Sequence, residues 1–315
     1  GGVTTYSWTN DNASIGLASS GTGTIASFTV TNITTTAQVA TIVVTPTFEN
    51  GGNSNAGPSQ SFTITVNPTA QVNDQNNILI CEGSTVEEIV FTTDNTDGVT
   101  TYAWTNSNPA IGLAASGTGN IPSFIAVNDL DTSNYFVNIT VTPTYTNNGV
   151  SCVGPSDSFR IRVIVGQVNA VDDQELCSGD QSAEVIFTTN NLDEVTPVGI
   201  DVSNVYTWTN DNTAIGLSSG GTGNIPSFSA INSVDTAQTA TITVTPEHTF
   251  SEAGGSFCNC QIVCTGPSET FTITVNPGAQ VNTVDSQVLC NGDISNEVIF
   301  TTTNTDGTTT YNWTN

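Results

Sequence analysis

Cysteine and histidine are the residues of this 315-residue chain with the most specific chemistry, and there are seven of the first and one of the second. Cys81, Cys177 and Cys290 open related motifs, ILICEGS, ELCSGD and VLCNGD, while Cys152 and Cys264 each precede a Gly-Pro-Ser triplet. Each of the first two opening cysteines is followed by one Gly-Pro-Ser cysteine. This order predicts two disulfides, Cys81–Cys152 and Cys177–Cys264, with Cys290 unpaired in this stretch. Disulfides of this kind imply an oxidising, extracellular location. Each would close a loop of about 70–90 residues, for which chain entropy gives at most about 4 kcal/mol. Cys258 and Cys260 flank one asparagine. They could bridge each other, or join Cys264 and His248 in a Cys3His zinc site, although the spacing is atypical of zinc.

Little else could catalyse. His248 is the sole histidine, so any Ser-His-Asp or Cys-His site would have to use it. No nucleophile motif surrounds it, and it is expected as an exposed polar residue. Paired carboxylates for glycoside hydrolysis recur at no fixed place, and the expectation is that the chain is not an enzyme. The recurrent Gly-Thr-Gly lacks the lysine and helix of a phosphate loop and reads as a turn or bulge. Asp74, Asp172, Asp173 and Asp285 lie where successive repeats join. With Asp129 and Asp131 they are candidates for calcium, which takes carboxylate and carbonyl oxygens. No full ligand loop accompanies them, so solvated acidic turns are the default reading and calcium the one cofactor considered. Trp8, Trp104, Trp208 and Trp313 each follow a tyrosine by two residues, on one face of a strand. Glycan stacking is one use for such pairs; a core position for the tryptophans is the expectation.

The balance of 28 acidic residues against two arginines, Arg160 and Arg162, with no lysine, excludes a phosphate-binding surface and so nucleic acid. It also disfavours anionic lipid, and no apolar run approaches the roughly 20 residues of a membrane span. The sequence opens within a motif, GGVTTYSWTN, without a signal peptide, and reads as a window on a longer protein.

The elements that must hold these residues repeat. TYSWTNDNASIGL recurs as TYAWTNSNPAIGL and YTWTNDNTAIGL, and YNWTN stands at the end, with tryptophan spacings of 96, 104 and 105. SGTGTIASF, SGTGNIPSF and GGTGNIPSF follow, then VTPTF, VTPTY and VTPEH, each leading to Gly-Pro-Ser and a strand such as FTITV or FRIRV. Period-two alternation makes those segments half-buried strands, with Phe159, Ile161 and Val163 inward and Arg160 and Arg162 outward. No segment has helical periodicity. Short strands in units of about 100 residues predict an all-β chain of tandem immunoglobulin-like sandwiches forming an extended rod. The expected boundaries are 1–68 for an incomplete repeat, 69–164 and 165–277 for complete ones, and 278–315 for the opening strands of a fourth. The third repeat carries two insertions, Leu192–Asn204 and Thr249–Val263. If both stand at one end of the sandwich they form a ligand-binding tip.

The combination YxWTNxNxxIGLxxSGTGxIxSF, VTPTY, CxGPSxxFTITVNP and CxGxxxxxVxFTT resembles the PKD-like repeats of very large Bacteroidota surface proteins, including gliding-motility adhesins. The resemblance covers essentially the whole chain. It implies a cell-surface thread or adhesin whose partners are neighbouring repeats, other copies in a filament and surface glycans. The chain departs from the pattern at Asn55, where the Gly-Pro-Ser cysteine is missing, and in the two insertions.

Overall fold

The computed structural model describes residues 1–128, 136–190, 200–252 and 261–315. Residues 1–127 with 136–163 form one compact unit, and Ile164–Asn315 belong to a second. Cys258, Cys260, Asp129 and Asp131 lie outside the described residues, as do the central parts of both third-repeat insertions.

In the first unit, strands β1 (Val3–Asn10), β2 (Ser20–Thr22), β3 (Gln38–Asn50), β4 (Asn53–Ala56) and β5 (Gln60–Val66) form one sheet. The long strand β3 pairs along one edge with β1. Along the other edge it pairs with two strands in turn, β5 opposite Gln38–Val44 and β4 opposite Thr47–Asn50. The second repeat reproduces this arrangement with strands before it. These are β6 (Ile78–Cys81), β7 (Thr85–Val86), β8 (Val99–Asn106), β9 (Ser116–Thr118), β10 (Phe124–Ile125), β11 (Phe136–Asn147), β12 (Val150–Val153) and β13 (Asp157–Ile164). The main sheet runs β6-β13-β11-β8-β9 with β12 on β11, and β7 and β10 pair in a separate two-stranded sheet.

The second unit holds β14 (Gln167–Val168), β15 (Gln174–Cys177), β16 (Thr189–Asn190), β17 (Ile200–Asn210), β18 (Gly220–Thr222), β19 (Gln238–Glu252), β20 (Gln261–Thr265) and β21 (Glu269–Asn276). Its sheet order is β15-β21-β19-β17-β18, with β20 on β19. The first strand β15 lies parallel to the last, β21, with Gln174 opposite Ile273 and Cys177 opposite Asn276. The chain is thus all-β, in tandem immunoglobulin-like sandwiches, as its strand pattern requires.

The longest sequence motif is explained by packing. Trp8, Trp104 and Trp208 are buried, and each stands opposite a glycine across the strand pair: Gly21, Gly117 and Gly221. A Cβ on any of these glycines would collide with the indole, which is why the motif keeps glycine there. Gly23, Gly119 and Gly223, two residues on, have φ of 73°, 74° and 75°, a turn conformation that costs glycine nothing. The asparagine two residues after each tryptophan is buried and bonded on both sides of its amide. Asn106 Nδ2 donates to Leu113 O (3.0 Å) and Ala114 O (3.3 Å), and its Oδ1 accepts from Asn108 N (3.0 Å). Asn12, Asn108 and Asn212 then cap a single 3-10 turn that drives a fully buried isoleucine, Ile15, Ile111 or Ile215, into the core. Each such side chain contributes roughly 1.5–3 kcal/mol on leaving water.

Two expectations are corrected. Trp313 is 73% exposed, because residues 278–315 contain no counterpart of the strands that cover the other three tryptophans. Arg162 is buried rather than facing water: alternation along β13 stops after Arg160, and Ile161–Ile164 are all buried. That burial lowers the guanidinium pKa from its ordinary value. Arg160, Phe159, Ile161 and Val163 lie as the alternation requires.

Candidate functional site: the joints between repeats

Two joints between successive repeats lie each within one unit, and they are built alike. In the first unit the Asn95-Thr96-Asp97-Gly98 turn of the second repeat reaches back to the first. Thr96 N donates to Thr35 O (3.1 Å), and Asn95 Nδ2 donates to Thr69 O (3.2 Å) and Thr35 O (3.4 Å). Asn95 Oδ1 in turn accepts from Gln71 N (2.9 Å). In the second unit Asn304-Thr305-Asp306-Gly307 repeats the pattern: Thr305 N donates to Asp235 O (3.2 Å) and Asn304 Nδ2 to Gly278 O (3.1 Å). Asp306 Oδ2 adds a bond from Ala237 N (2.9 Å). The same residues thus bind the same backbone groups at both joints. The signal for this was in the sequence, as an Asn-Thr-Asp-Gly identical in two repeats within otherwise ordinary polar loops.

The long hairpin formed by β11 and β12 completes the first of these joints. At its tip Asn67 Nδ2, just past the end of β5, donates to Asn147 O (3.4 Å) and Val150 O (3.3 Å), and Asn147 Nδ2 returns a bond to Asn67 Oδ1 (3.2 Å). Tyr145, fully buried, donates its hydroxyl to Thr96 O at 2.8 Å. Burial, with Asp97 and Cys152 nearby, raises its pKa above the ordinary tyrosine value, so the donor stays protonated. Gly154 lies against the Ala70 carbonyl so closely that a Cβ would overlap it.

His248 holds the place of Tyr145 in the third repeat. It is 0% exposed, which corrects the expectation of an exposed polar residue. Its Nδ1 pairs with Asn204 Oδ1 at 2.8 Å, and its ring fills the space a Cβ on Gly166 would need. Desolvation lowers its pKa, with the Gly166 backbone partly opposing, so the ring is neutral near pH 7. A ring enclosed in this way does not reach a substrate.

Both predicted disulfides are also corrected. Cys152 and Cys177 are free thiols, as is Cys290, whereas Cys81 and Cys264 are disulfide-bonded. The geometry explains why the predicted pairs fail. Cys177 stands opposite Asn276, level with the start of β19 at Gln238, while Cys264 stands opposite His248, ten residues further along β19. Ten residues of strand span about 33 Å, against the roughly 7 Å limit between Cα atoms of a disulfide. The second repeat is built to the same plan. Cys152 stands opposite Tyr145 at the far end of β11, and Asn77, just before β6, accepts from Arg160 N at the other end.

The acidic candidates are distributed rather than convergent. Asp173 Oδ1 accepts from Thr272 N (2.6 Å), fixing the register of β15 on β21, and that bond lowers its pKa. Among the described residues no three His, Cys, Asp or Glu side chains gather into a group that could hold a metal, and Asp74, Asp172 and Asp285 join none. Both third-repeat insertions leave from one place, since Ile200 at the start of β17 pairs with Glu252 at the end of β19.

No family model and no curated protein matches the chain. Among solved structures it is similar to three N-terminal domains of the bacteriophage RB49 highly immunogenic outer capsid protein (Hoc). That similarity is at 14% identity and a TM-score of 0.38, over 88% of this chain and 89% of that one. It is also similar to Drosophila N-cadherin EC1-4, at 14% identity and a TM-score of 0.34, over 87% and 66%. Human protocadherin-24 EC1-2 follows, at 12% identity and a TM-score of 0.27, over 68% and 100%. No helix among the described residues is long and apolar enough to cross a membrane.

Proposed function

We propose that the chain is a structural segment of a long secreted filament or adhesin of the cell surface, of the Bacteroidota gliding-adhesin type, used for attachment or motility. The observation that carries this reading is the repeated joint, in which the same asparagine and threonine bind the same carbonyl positions in both units. A chain that rebuilds one specific interface between successive domains holds them in a fixed relation, as a rod needs and a flexible linker does not provide. Stability and stiffness then accumulate through nearest-neighbour contacts, as in other repeat arrays. The repeats so joined are 1–68 with 69–164, and 165–277 with 278–315. A charge of −26 keeps such a rod soluble and self-repelling, and disulfide-bonded Cys81 and Cys264 suit an oxidising exterior.

Electron microscopy of native material tests the proposal. Threads beaded at about 40 Å per repeat and much longer than three repeats are expected. Short rods ending in a globular head would refute it.

A second reading has its own observation. Ile200 pairs with Glu252, so the strands that carry both third-repeat insertions end side by side, which supports a binding module for glycan or protein built from those insertions. Loss of surface attachment on replacing both insertions by the short loops of the second repeat is the expected result on that reading.

A further inference from the structure

We infer that the second repeat binds an extended basic segment of another protein by strand addition, along the edge that carries Glu87, Glu88 and Val90.

Three observations carry this. The segment is paired on one side and open on the other. Val86 pairs with Phe124, Ile89 N donates to Ile121 O (3.0 Å) and Ile121 N returns a bond to Ile89 O (3.1 Å). Phe91 N donates to Asn120 Oδ1 (3.2 Å) on that same side. On the other side Asn73 N donates to Thr92 O (2.8 Å), and there the pairing stops. Among the described residues no hydrogen bond engages the backbone of Glu87, Glu88 or Val90. From Asn73 the chain crosses to the main sheet, where β6 lies beside β13, and the crossing leaves a hollow lined by Ile78, Ile80, Val86, Glu88, Ile89 and Val90.

The later repeats show that this edge takes an amide. Ala183, two residues before Val185, is the counterpart of Glu87, two residues before Ile89. Gln174 Nε2 donates to Ala183 O (3.4 Å) and Ala183 N donates to Gln174 Oε1 (3.2 Å), the pair of bonds that a neighbouring strand would make. Gln287 does the same for Asn296, accepting from its N at 2.8 Å and donating to its O at 3.0 Å. Both glutamines stand three residues before the opening cysteine of their repeat. The second repeat has Ile78 at that position, so its own chain supplies no amide to Glu87. A peptide backbone supplies the same donor and acceptor, and can continue the ladder to Val90.

The side chains set the class of partner. Glu87, Glu88 and Val90 are exposed, beside buried Val86 and Ile89. Lysine or arginine opposite the glutamates gains cross-strand attraction, and its alkyl stem can cover Val90. This chain has no lysine and a net charge of −26. A second copy would set glutamate against glutamate, which is how edge charges deter self-pairing. The partner is therefore a different, basic chain. This goes beyond the filament reading, which concerns how the repeats hold one another.

The test uses the whole chain and a blocked octapeptide alternating valine with lysine, against the same peptide with glutamate in place of lysine, both at physiological salt. Calorimetry gives affinity and stoichiometry, and amide exchange read by mass spectrometry locates the contact. The expected result is one lysine peptide per chain, with protection confined to the strands around Glu87–Val90. Ile78→Gln should install the amide that Gln174 provides and weaken binding roughly tenfold, the worth of one or two net hydrogen bonds. Gln174→Ile should open the matching edge of the third repeat and raise the stoichiometry to two, so the idea does not depend on either variant alone. Equal binding of the glutamate peptide would overturn the inference. So would many lysine peptides per chain without protection at this edge, which is what unspecific attraction to an acidic protein gives, or a stoichiometry and affinity that neither variant changes.

Discussion

Replacing Gly117 by alanine isolates the contact that holds the tryptophan motif in place. Gly117 stands opposite Trp104, and a Cβ there would overlap Cζ2 and lie 2.6 Å from Cε2 of the indole. Its backbone is not in the left-handed region, so alanine meets no conformational penalty. Restricting the unfolded chain would by itself stabilise by about 0.4–1 kcal/mol. Forcing a methyl group into a packed core costs about 1–3 kcal/mol, and Trp104 is only 4% exposed. The net expectation is a loss of about 1–2 kcal/mol, confined to the second repeat. Amide exchange of β8 and β9 across a urea series reads that repeat separately from the others. Trp104→Phe removes the overlapped atoms, so in that background Gly117→Ala should be neutral or stabilising, giving a coupling energy in the double-mutant cycle. Gly117→Ala as stable as the parent, or a loss undiminished beside Trp104→Phe, would refute the packing argument.

Acid should loosen the third repeat first. The pKa of His248 is lowered in the folded chain, so the unfolded state binds more protons below about pH 6.5. Its neutral burial is therefore fully stabilising above that pH and is lost as pH falls towards the folded value, by up to about 1.4 kcal/mol per pH unit. His248→Tyr, copying Tyr145, should flatten the dependence in thermal melts between pH 7 and pH 5. An unchanged dependence would assign it to carboxylates instead. Asn106→Ala should cost about 1–3 kcal/mol by stranding Leu113 O and Asn108 N. Amide exchange of the 107–115 loop checks this, and a loss below about 0.5 kcal/mol would mean that water replaces the amide.

Much of this fold was legible because its information is local. Alternation in FRIRV gave Phe159, Ile161 and Val163 their inward face, and the repeated Trp, Asn and Gly positions marked the core and its turns. The errors arose where position along a strand, rather than face, decides the outcome. Period-two patterning says which way Cys264 points but not which end of the 15-residue β19 it stands opposite. Adjacency in sequence therefore paired it with Cys177, which the length of β19 makes unreachable. His248 looked exposed because a polar residue at a strand end ordinarily is, and the backbone that encloses it comes from Gly166, eighty-two residues earlier. Arg162 was misplaced for a related reason: alternation predicts the face of an isolated strand and is silent on what covers that face. The joints were present in the sequence only as a repeated Asn-Thr-Asp-Gly, whose acceptors on the preceding repeat no local pattern specifies.

The parallel pairing of β15 with β21 has a mechanical consequence. Tension on the chain enters the third repeat ahead of Gln174 and leaves it after Asn276, at opposite ends of two strands that run side by side in the same direction. Pulling must slide one strand past the other. All the bonds between them, together with the Asp173–Thr272 clamp at the entry end, are loaded at once rather than opened one after another from an edge. A β-sandwich whose terminal strands are paired in shear resists extension until that small ladder fails as a whole. Each repeat would then yield in a single abrupt step, so the chain would lengthen under load in discrete increments.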